Sequence, residues 1–475
     1  MTPMPIAAQI ANWSAQFKDA DIPEHVLRCA KVSLLDAIGV ALAATTYSEA
    51  ASQALAVLVT LEQGGSSTVF QKGSSTSIEN AVFANSLLIR ALDFNDYLPK
   101  DPNDGRRLGS HPSDQMAVGL AFGEKFHSTG RAFLAAMVLG YELNGRLLRL
   151  FDHHSFWDST TATSLVAPVI AGRLMRLNHD QMTSAIAFSM AHGATHKSVR
   201  RGHISAAKFL ADPIVARQGA FAALLAAGNV VGPLSVLDGS NSLAKAVFGE
   251  GDVADLFLPL KPFYIFEGVC IKAYPFFANS QAAIGAALDL HKQLGDSVRD
   301  IKKIDLFLAD IPAVTSQLDD KNRRYPTNQE TADHSYHFAV AVALADGLVS
   351  LRSFRNERWN DPEINALMDK IHILPDPKWN DRVNGGAPAR LNIETYDGKT
   401  LSSEQAFQLG HISNPMSQAQ IIEKFKLNVD GILPAKRSNA IIDIVLNLEH
   451  ETSLHHLMSL LGERWNFINI PRFTF

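Results

Sequence analysis

Between Asp180 and Asp212 the chain has no Asp or Glu, yet it carries His192, His196, Lys197, Arg200, Arg201, His203 and Lys208. In a protein with a formal net charge of −5, such a stretch suits a site for a polyanionic small molecule; the alternative is a solvated loop with scattered cations. Arg200-Arg201-Gly202-His203 is polar and glycine-containing, hence a loop. Lys208 sits in an apolar run, SAAKFLA, where a lysine needs an anion or a route to solvent. Upstream, Asp93-Phe94-Asn95-Asp96 follows a helical pattern, and Ser110-His111-Pro112-Ser113-Asp114 opens another. Pro112 suits a first helical turn and Asp114 its positive end. A histidine held just before a helix start is positioned either for proton transfer or as a capping accessory. Lys272-Ala273-Tyr274-Pro275 offers a lysine that closes on a ligand, or a surface lysine before a turn.

Other chemistries lack their residues. No Walker A loop, GxGxxG, HExxH, GxSxG or EF-hand loop occurs. Two cysteines, Cys29 and Cys270, leave no thiolate zinc site, iron–sulfur cluster or disulfide framework, and point to a reduced, cytoplasmic setting. His153-His154 and His455-His456 are weak metal candidates, because adjacent histidines diverge on a helix; no metal is expected. The net negative charge argues against nucleic acid or an anionic membrane as partner. The most apolar stretch, 216–237, is broken by Gly228, Asn229, Gly232 and Pro233, so a buried helix is expected there and not a membrane span.

These residues are carried on two textures of chain. Through about residue 250, alanine-rich helical patterns alternate with short breaks: 23–44, 48–61, 78–92, 114–126, 131–150, 161–176 and 213–227. Near Phe263 the pattern changes. Residues 301–308, 371–374 and 390–396 read as strands, with a helix over 336–351, and helices resume over 418–425, 438–448 and 454–461. The expected architecture is mainly α with an inserted α+β domain. A large all-helical domain is built from 1–265 and 405–475, and a smaller α/β lid from 266–404; clefts between such units commonly hold ligands.

Taken together, the motifs resemble the MmgE/PrpD family. The resemblance rests on LLDAIGV (34–40), LDFND (92–96), HPSD (111–114) and R-x-G-x-x-S-x-x-K from Arg200 to Lys208. It continues with the A-R-x-G to GP run (216–233), K-x-Y-P (272–275), ADH (332–334) and NP-M-S to KF (414–425), colinear over nearly the whole chain. The resemblance implies the two-domain architecture, a homodimer, and cofactor-free chemistry on a small anionic di- or tricarboxylate. It implies a catalytic set of Asp93, His111, Lys208 and Lys272. Around them it implies substrate-binding positions Asp96, Tyr97, Trp157, Ser159, Arg200, His203, Tyr274, Gln281 and His334. Trp157-Asp158 with Thr161, and Ser280-Gln281, look more like the methylcitrate-dehydratase branch than the decarboxylase branch. The chain departs from the pattern at Tyr97 (a threonine in the family), at Ser159 (a histidine), and in a charged insertion from Pro99 to Leu108.

On this resemblance His111 transfers the proton and Asp93 orients it or acts as a second acid/base. Lys208, Arg200 and Lys272 bind carboxylates and stabilise developing charge, while Tyr97 hydrogen-bonds substrate. The expected activity is a metal-independent hydro-lyase. A decarboxylase or epimerase passes through a similar carbanion-like species, and a non-catalytic binding protein of the same fold is the remaining alternative.

Overall fold

The computed structural model describes residues 4–61, 64–73, 75–152, 156–200, 205–240, 242–249, 251–258, 264–315, 317–318, 320–382 and 387–464. The chain forms two compact units, residues 1–269 with 418–475 and residues 270–417.

In the first unit, helices α1 (Ile6–Ala15), α2 (Glu24–Tyr47) and α3 (Glu49–Leu61) lead into α4 (Ile78–Arg90). Helices α5 (Met116–Lys125), α6 (Gly130–Leu150), α7 (Thr163–Leu174), α8 (His179–His192), α9 (Ala207–Ala227) and α10 (Leu243–Phe248) follow. The far end of the chain returns α14 (Gln418–Val429), α15 (Ala435–Leu446) and α16 (His455–Gly462) to the same unit. Helix α2 is buried almost all round from Ser33 to Thr45, because α4 packs on one side and α14 on another. The Lys31 ammonium reaches Glu449 at 2.5 Å, tying the two chain ends. Small residues let α9 approach α4, α7 and α8 closely.

Two sequence expectations change here. The unit is not all-helical: Ser67–Thr68 (β1) pairs with Ser75–Thr76 (β2), and Leu98–Lys100 (β3) pairs antiparallel with Arg107–Ser110 (β4). The charged insertion is therefore part of a β-ribbon, whose Leu98 and Leu108 are buried; Asp101 is buried against Arg149 of α6, while Asp104, Arg106 and Arg107 are exposed. Helix α9 also begins at Ala207, ahead of Pro213, which lies inside it. A proline removes one backbone hydrogen bond, but packing against α4, α7 and α8 holds the preceding turns, so Lys208 sits on a helix. Helix α8 went unrecognised in the sequence although Asn178 and Gln181 form a capping box. Among the described residues, α9 is the one helix long and apolar enough to cross a membrane, and 61% of that window is buried inside the unit.

The second unit contains α11 (Gln281–Leu294), β5 (Ile301–Ala309), α12 (Tyr336–Asp346), α13 (Pro362–Asp369), β6 (Ile371–Asp376), β7 (Ala389–Thr395) and β8 (Thr400–Gln405). The strands lie in the order β6-β5-β7-β8; β5 and β6 are parallel and the other pairs antiparallel. Strand β7 alternates buried and half-buried residues, and α11 covers β7 and β8 so that Leu290, Leu306, Val340 and Leu391 share a core. The expected return at 405 falls later. Gly410 (φ +88°) accepts a backbone bond from Ile271 at 3.0 Å, and a side chain there would stand 1.9 Å from the Ile271 carbonyl oxygen. That contact keeps 406–417 with the second unit.

Candidate active site

Where α4 ends, the chain turns through Asp93 in the left-handed region (φ +46°), a conformation that Asp tolerates better than most residues. The turn aims its carboxylate at three groups. Arg90 Nη1 lies at 2.6 Å, Lys208 Nζ at 3.0 Å and His111 Nε2 at 3.5 Å. Lys208 comes from the first turn of α9, and His111 from the residue preceding a helical turn at Pro112–Gln115. Asp93, His111 and Lys208, scattered over 116 positions of sequence, thus meet within the first unit.

His111 is held in one orientation. Its Nδ1 lies 2.7 Å from the Asp96 carbonyl oxygen, and a carbonyl only accepts, so Nδ1 carries the proton. In the neutral ring Nε2 is then the unprotonated nitrogen, and it is the one that faces Asp93. The supporting loop is itself pinned. The Asp96 carboxylate accepts from the Ser113 backbone at 3.2 Å and from the Tyr141 hydroxyl at 2.7 Å. Asn95 Nδ2 donates to Ser113 Oγ and Asp114 Oδ1, both at 2.8 Å. Lys424, which pairs with Asp36 at 2.5 Å, donates to the Phe94 carbonyl at 3.0 Å. Burial pushes Asp96 up to about 6, and nearby Asp36 adds to this, while the bonds from Ser113 and Tyr141 pull the other way.

Behind Asp93, Arg90 is 1% exposed and is also 3.4 Å from Asp114 and 3.8 Å from Asp212. Burial disfavours its charge, but the three carboxylates overcome that and hold the guanidinium protonated well beyond its ordinary range. Three carboxylates exceed what one guanidinium neutralises. Burial, with Asp212 adding to it, shifts Asp114 well above its ordinary value, and burial raises Asp212 against the pull of Arg90 and Arg200, with Asp158 adding to the rise.

A cavity of about 280 Å³ opens within this unit, near the lower end of the roughly 300–1,000 Å³ of ligand pockets and sized for a small acid more than a dinucleotide. Of the catalytic candidates, His111 lines it; Asp114 and Asp212 form another part of the wall. Trp157 and Ser159 line it too. The Trp157 backbone bridges to His196, and Ser159 Oγ donates to the Gly109 carbonyl at 3.2 Å.

Several expected binding positions take other roles. Arg200 lines the cavity, but its fork grips Asp158, with Nε at 2.6 Å and Nη2 at 3.0 Å. Burial alone would raise Asp158; Arg200 and Thr160 more than offset it and leave the carboxyl below its ordinary range. Arg200 is a clasp on the 156–160 segment. Asp96 is wholly buried and reaches His111 through its carbonyl, so its carboxylate is structural. Tyr97 is 5% exposed and packs inward at the start of the ribbon, away from the cavity lining. Gln281 spends its amide on the Tyr274 and Phe276 backbone, bracing that loop. His203, like Arg201, Gly202, His153 and His154, lies outside the described residues.

Lys272, Tyr274, Gln281 and His334 belong to the second unit. Lys272 is 1% exposed, burial pushes Tyr274 up to about 12, and the His334 ring stacks on Phe277 and contacts Asp333. Among the described residues no set of three His, Cys, Asp or Glu side chains converges as a metal site.

Sequence reasoning missed Arg90, Asp212, Asn144 and Arg107 as site residues. Arg90 had a signal: a lone arginine inside the apolar run SLLIRAL demands buried anions. Asp212 and Asn144 had none, since helix phase alone does not tell which polar residue faces a cavity.

Comparison with known proteins matches residues 8–255 to the MmgE/PrpD N-terminal domain and residues 274–450 to the MmgE/PrpD C-terminal domain. A cis-aconitate decarboxylase of Homo sapiens is 25% identical over 474 residues, covering 94% of this chain and 92% of that protein. A 2-methylcitrate dehydratase of Escherichia coli (strain K12) is 23% identical over 488 residues, covering 93% and 96%. Another, of Salmonella typhimurium, is 24% identical over 397 residues, covering 77% and 78%. Identities this close do not rank one reaction above the other.

Proposed function

The chain belongs to the MmgE/PrpD family, and on that premise we propose that it is a lyase that dehydrates a small hydroxylated di- or tricarboxylate. The observation that carries this is the His111 arrangement: a cavity-lining imidazole with Nδ1 committed to a backbone carbonyl and Nε2 3.5 Å from the Asp93 carboxylate. His111 Nε2 removes the proton α to a substrate carboxylate, and Asp93 stabilises the imidazolium so formed. The electron pair forms the C=C bond as the β-hydroxyl leaves, and the Lys208 ammonium supplies the proton that makes it water. The charge built up on the substrate carboxylate is the main barrier, and preorganised cations at the wall lower it by several kcal/mol. The similarity to relatives of both reaction types and the clustered cations support a polycarboxylate substrate.

The test is turnover of citrate, isocitrate and 2-methylcitrate, followed by ultraviolet absorbance of the new C=C bond and by mass spectrometry. His111→Ala is expected to lower the rate about 10²–10⁴-fold. Release of carbon dioxide without water would replace dehydration by decarboxylation. Turnover that survives in the His111→Ala chain overturns the assignment.

A further inference from the structure

Asp158 and Asp212 are both buried and both line the cavity, yet they are served very differently. Asp158 accepts from two nitrogens of Arg200, from Thr160 N at 3.0 Å and from Thr160 Oγ1 at 2.6 Å. Thr160 Oγ1 in turn accepts from Arg200 Nη2 at 3.1 Å. A hydroxyl has one hydrogen to give, and here it goes to Asp158, so the 3.4 Å approach of Thr160 Oγ1 to Asp212 supplies no donor. The hydrogen bond that Asp212 keeps among the described residues comes from Thr163 Oγ1 at 3.2 Å.

Asp114, from the helical turn at Pro112–Gln115, lines the same cavity and accepts from Asn95 Nδ2 at 2.8 Å. It shares Arg90 with Asp212: their Oδ2 atoms stand 3.4 and 3.8 Å from Arg90 Nε. That buried nitrogen makes a hydrogen bond to neither, while Arg90 Nη1 is spent on Asp93 at 2.6 Å. The other charges facing the pair are Asp96, Asp158 and Arg200, the last two engaged with each other. On the surrounding elements Lys208 and His111 face Asp93, and Lys424 pairs with Asp36. Arg107 and Lys197 also line the cavity. Two negative charges on Asp114 and Asp212 would thus share a guanidinium whose nearest anion is a third carboxylate, and a polyanionic ligand would add to their repulsion. A single proton on the pair removes one of those charges and creates an O–H donor. A carboxylic acid kept neutral in this way can hydrogen-bond an oxyanion.

We propose that Asp114 and Asp212 hold one proton as a pair, and that this neutral acid is a further catalytic group, donating a hydrogen bond to the ligand carboxylate on which charge develops. This rests on the proposed polycarboxylate chemistry and adds to that site a donor without a charge of its own.

The first test is infrared difference spectroscopy of the parent against Asp212→Asn and Asp114→Asn near neutral pH. The parent is expected to show a carboxylic-acid C=O stretch that both variants lose, because an amide in place of either acid lets the remaining carboxyl ionise beside Arg90. A parent without the band, or a band that survives in either variant, overturns the proposal. The second is calorimetric binding of tricarballylate, which has no hydroxyl to eliminate. Asp212→Asn keeps an N–H donor and is expected to bind within about threefold of the parent. Asp212→Leu, of similar shape but without a donor, is expected to bind about 10–100-fold more weakly. Tighter binding by Asp212→Asn would mean that it removed a negative charge, and an equal loss in both variants would mean that no hydrogen bond is donated; either overturns the proposal. A parent with the band and this binding pattern that turns over no acid removes the lyase function and leaves the acid pair standing. Turnover by a parent without the band does the reverse.

Discussion

Asp96→Asn separates the structural from the chemical role of the acidic loop. Asp96 is fully buried, and its carboxyl is pushed up to about 6 in the fold, against about 3.9 in the unfolded chain. Below about pH 4 both states hold the proton. Between about pH 4 and 6 the unfolded chain ionises first, so the fold loses stability as pH rises, at up to about 1.4 kcal/mol per unit. Above that window the penalty is constant. A shift of about two units amounts to roughly 2–3 kcal/mol. Asparagine matches the shape, retains an acceptor for the Ser113 backbone and meets the Tyr141 hydroxyl, which turns to accept. The variant is therefore expected to gain roughly 2–3 kcal/mol relative to the parent between pH 4 and pH 7.5, read as urea unfolding free energies at each pH. The backbone carbonyl still holds His111, so kcat/KM should stay within about threefold. A stability difference that does not move with pH refutes the burial argument, and a collapse of kcat/KM with the fold intact refutes the structural assignment of this carboxylate.

Asp93→Asn keeps a residue that accepts positive φ but deletes the charge facing His111. A unit charge at 3.5 Å is worth about 5 kcal/mol at an effective dielectric of about 20. Arg90 and Lys208 already share that carboxylate, so about 2–4 kcal/mol is expected, or about 30–1,000-fold in kcat/KM. Circular dichroism should be unchanged, and a loss of less than about threefold would remove Asp93 from the proton transfer. Arg200→Gln leaves Asp158 without its bidentate partner and should cost about 2–4 kcal/mol in urea unfolding. An unfolding midpoint equal to the parent's would mean that this ion pair does not hold the 156–160 segment.

Some of the site was legible from residue types alone. The LDFND and HPSD runs and the acid-free stretch ending at Lys208 located Asp93, His111 and Lys208, because charged residues beside apolar helical patterns need partners somewhere in the fold. Helix α9 was placed too late, since proline propensity is local whereas packing by α4, α7 and α8 is not. The ribbon was seen only as a charged insertion, because its strands are short and their pairing depends on Arg149 from a distant helix.

Composition and periodicity by themselves determined a mainly helical protein with an inserted mixed-sheet unit, a basic segment suited to an anion, and a histidine fixed at a turn. Those properties follow from apolar spacing and local backbone preference, which act over a few residues. Tertiary structure alone decided which carboxylates the cations of the basic segment meet. It gave Arg200 to Asp158 and Lys208 to Asp93, and it turned Arg107 toward the cavity. The reason is that ion pairing depends on distances of a few ångströms between side chains far apart along the chain, and only the packed helices set those distances.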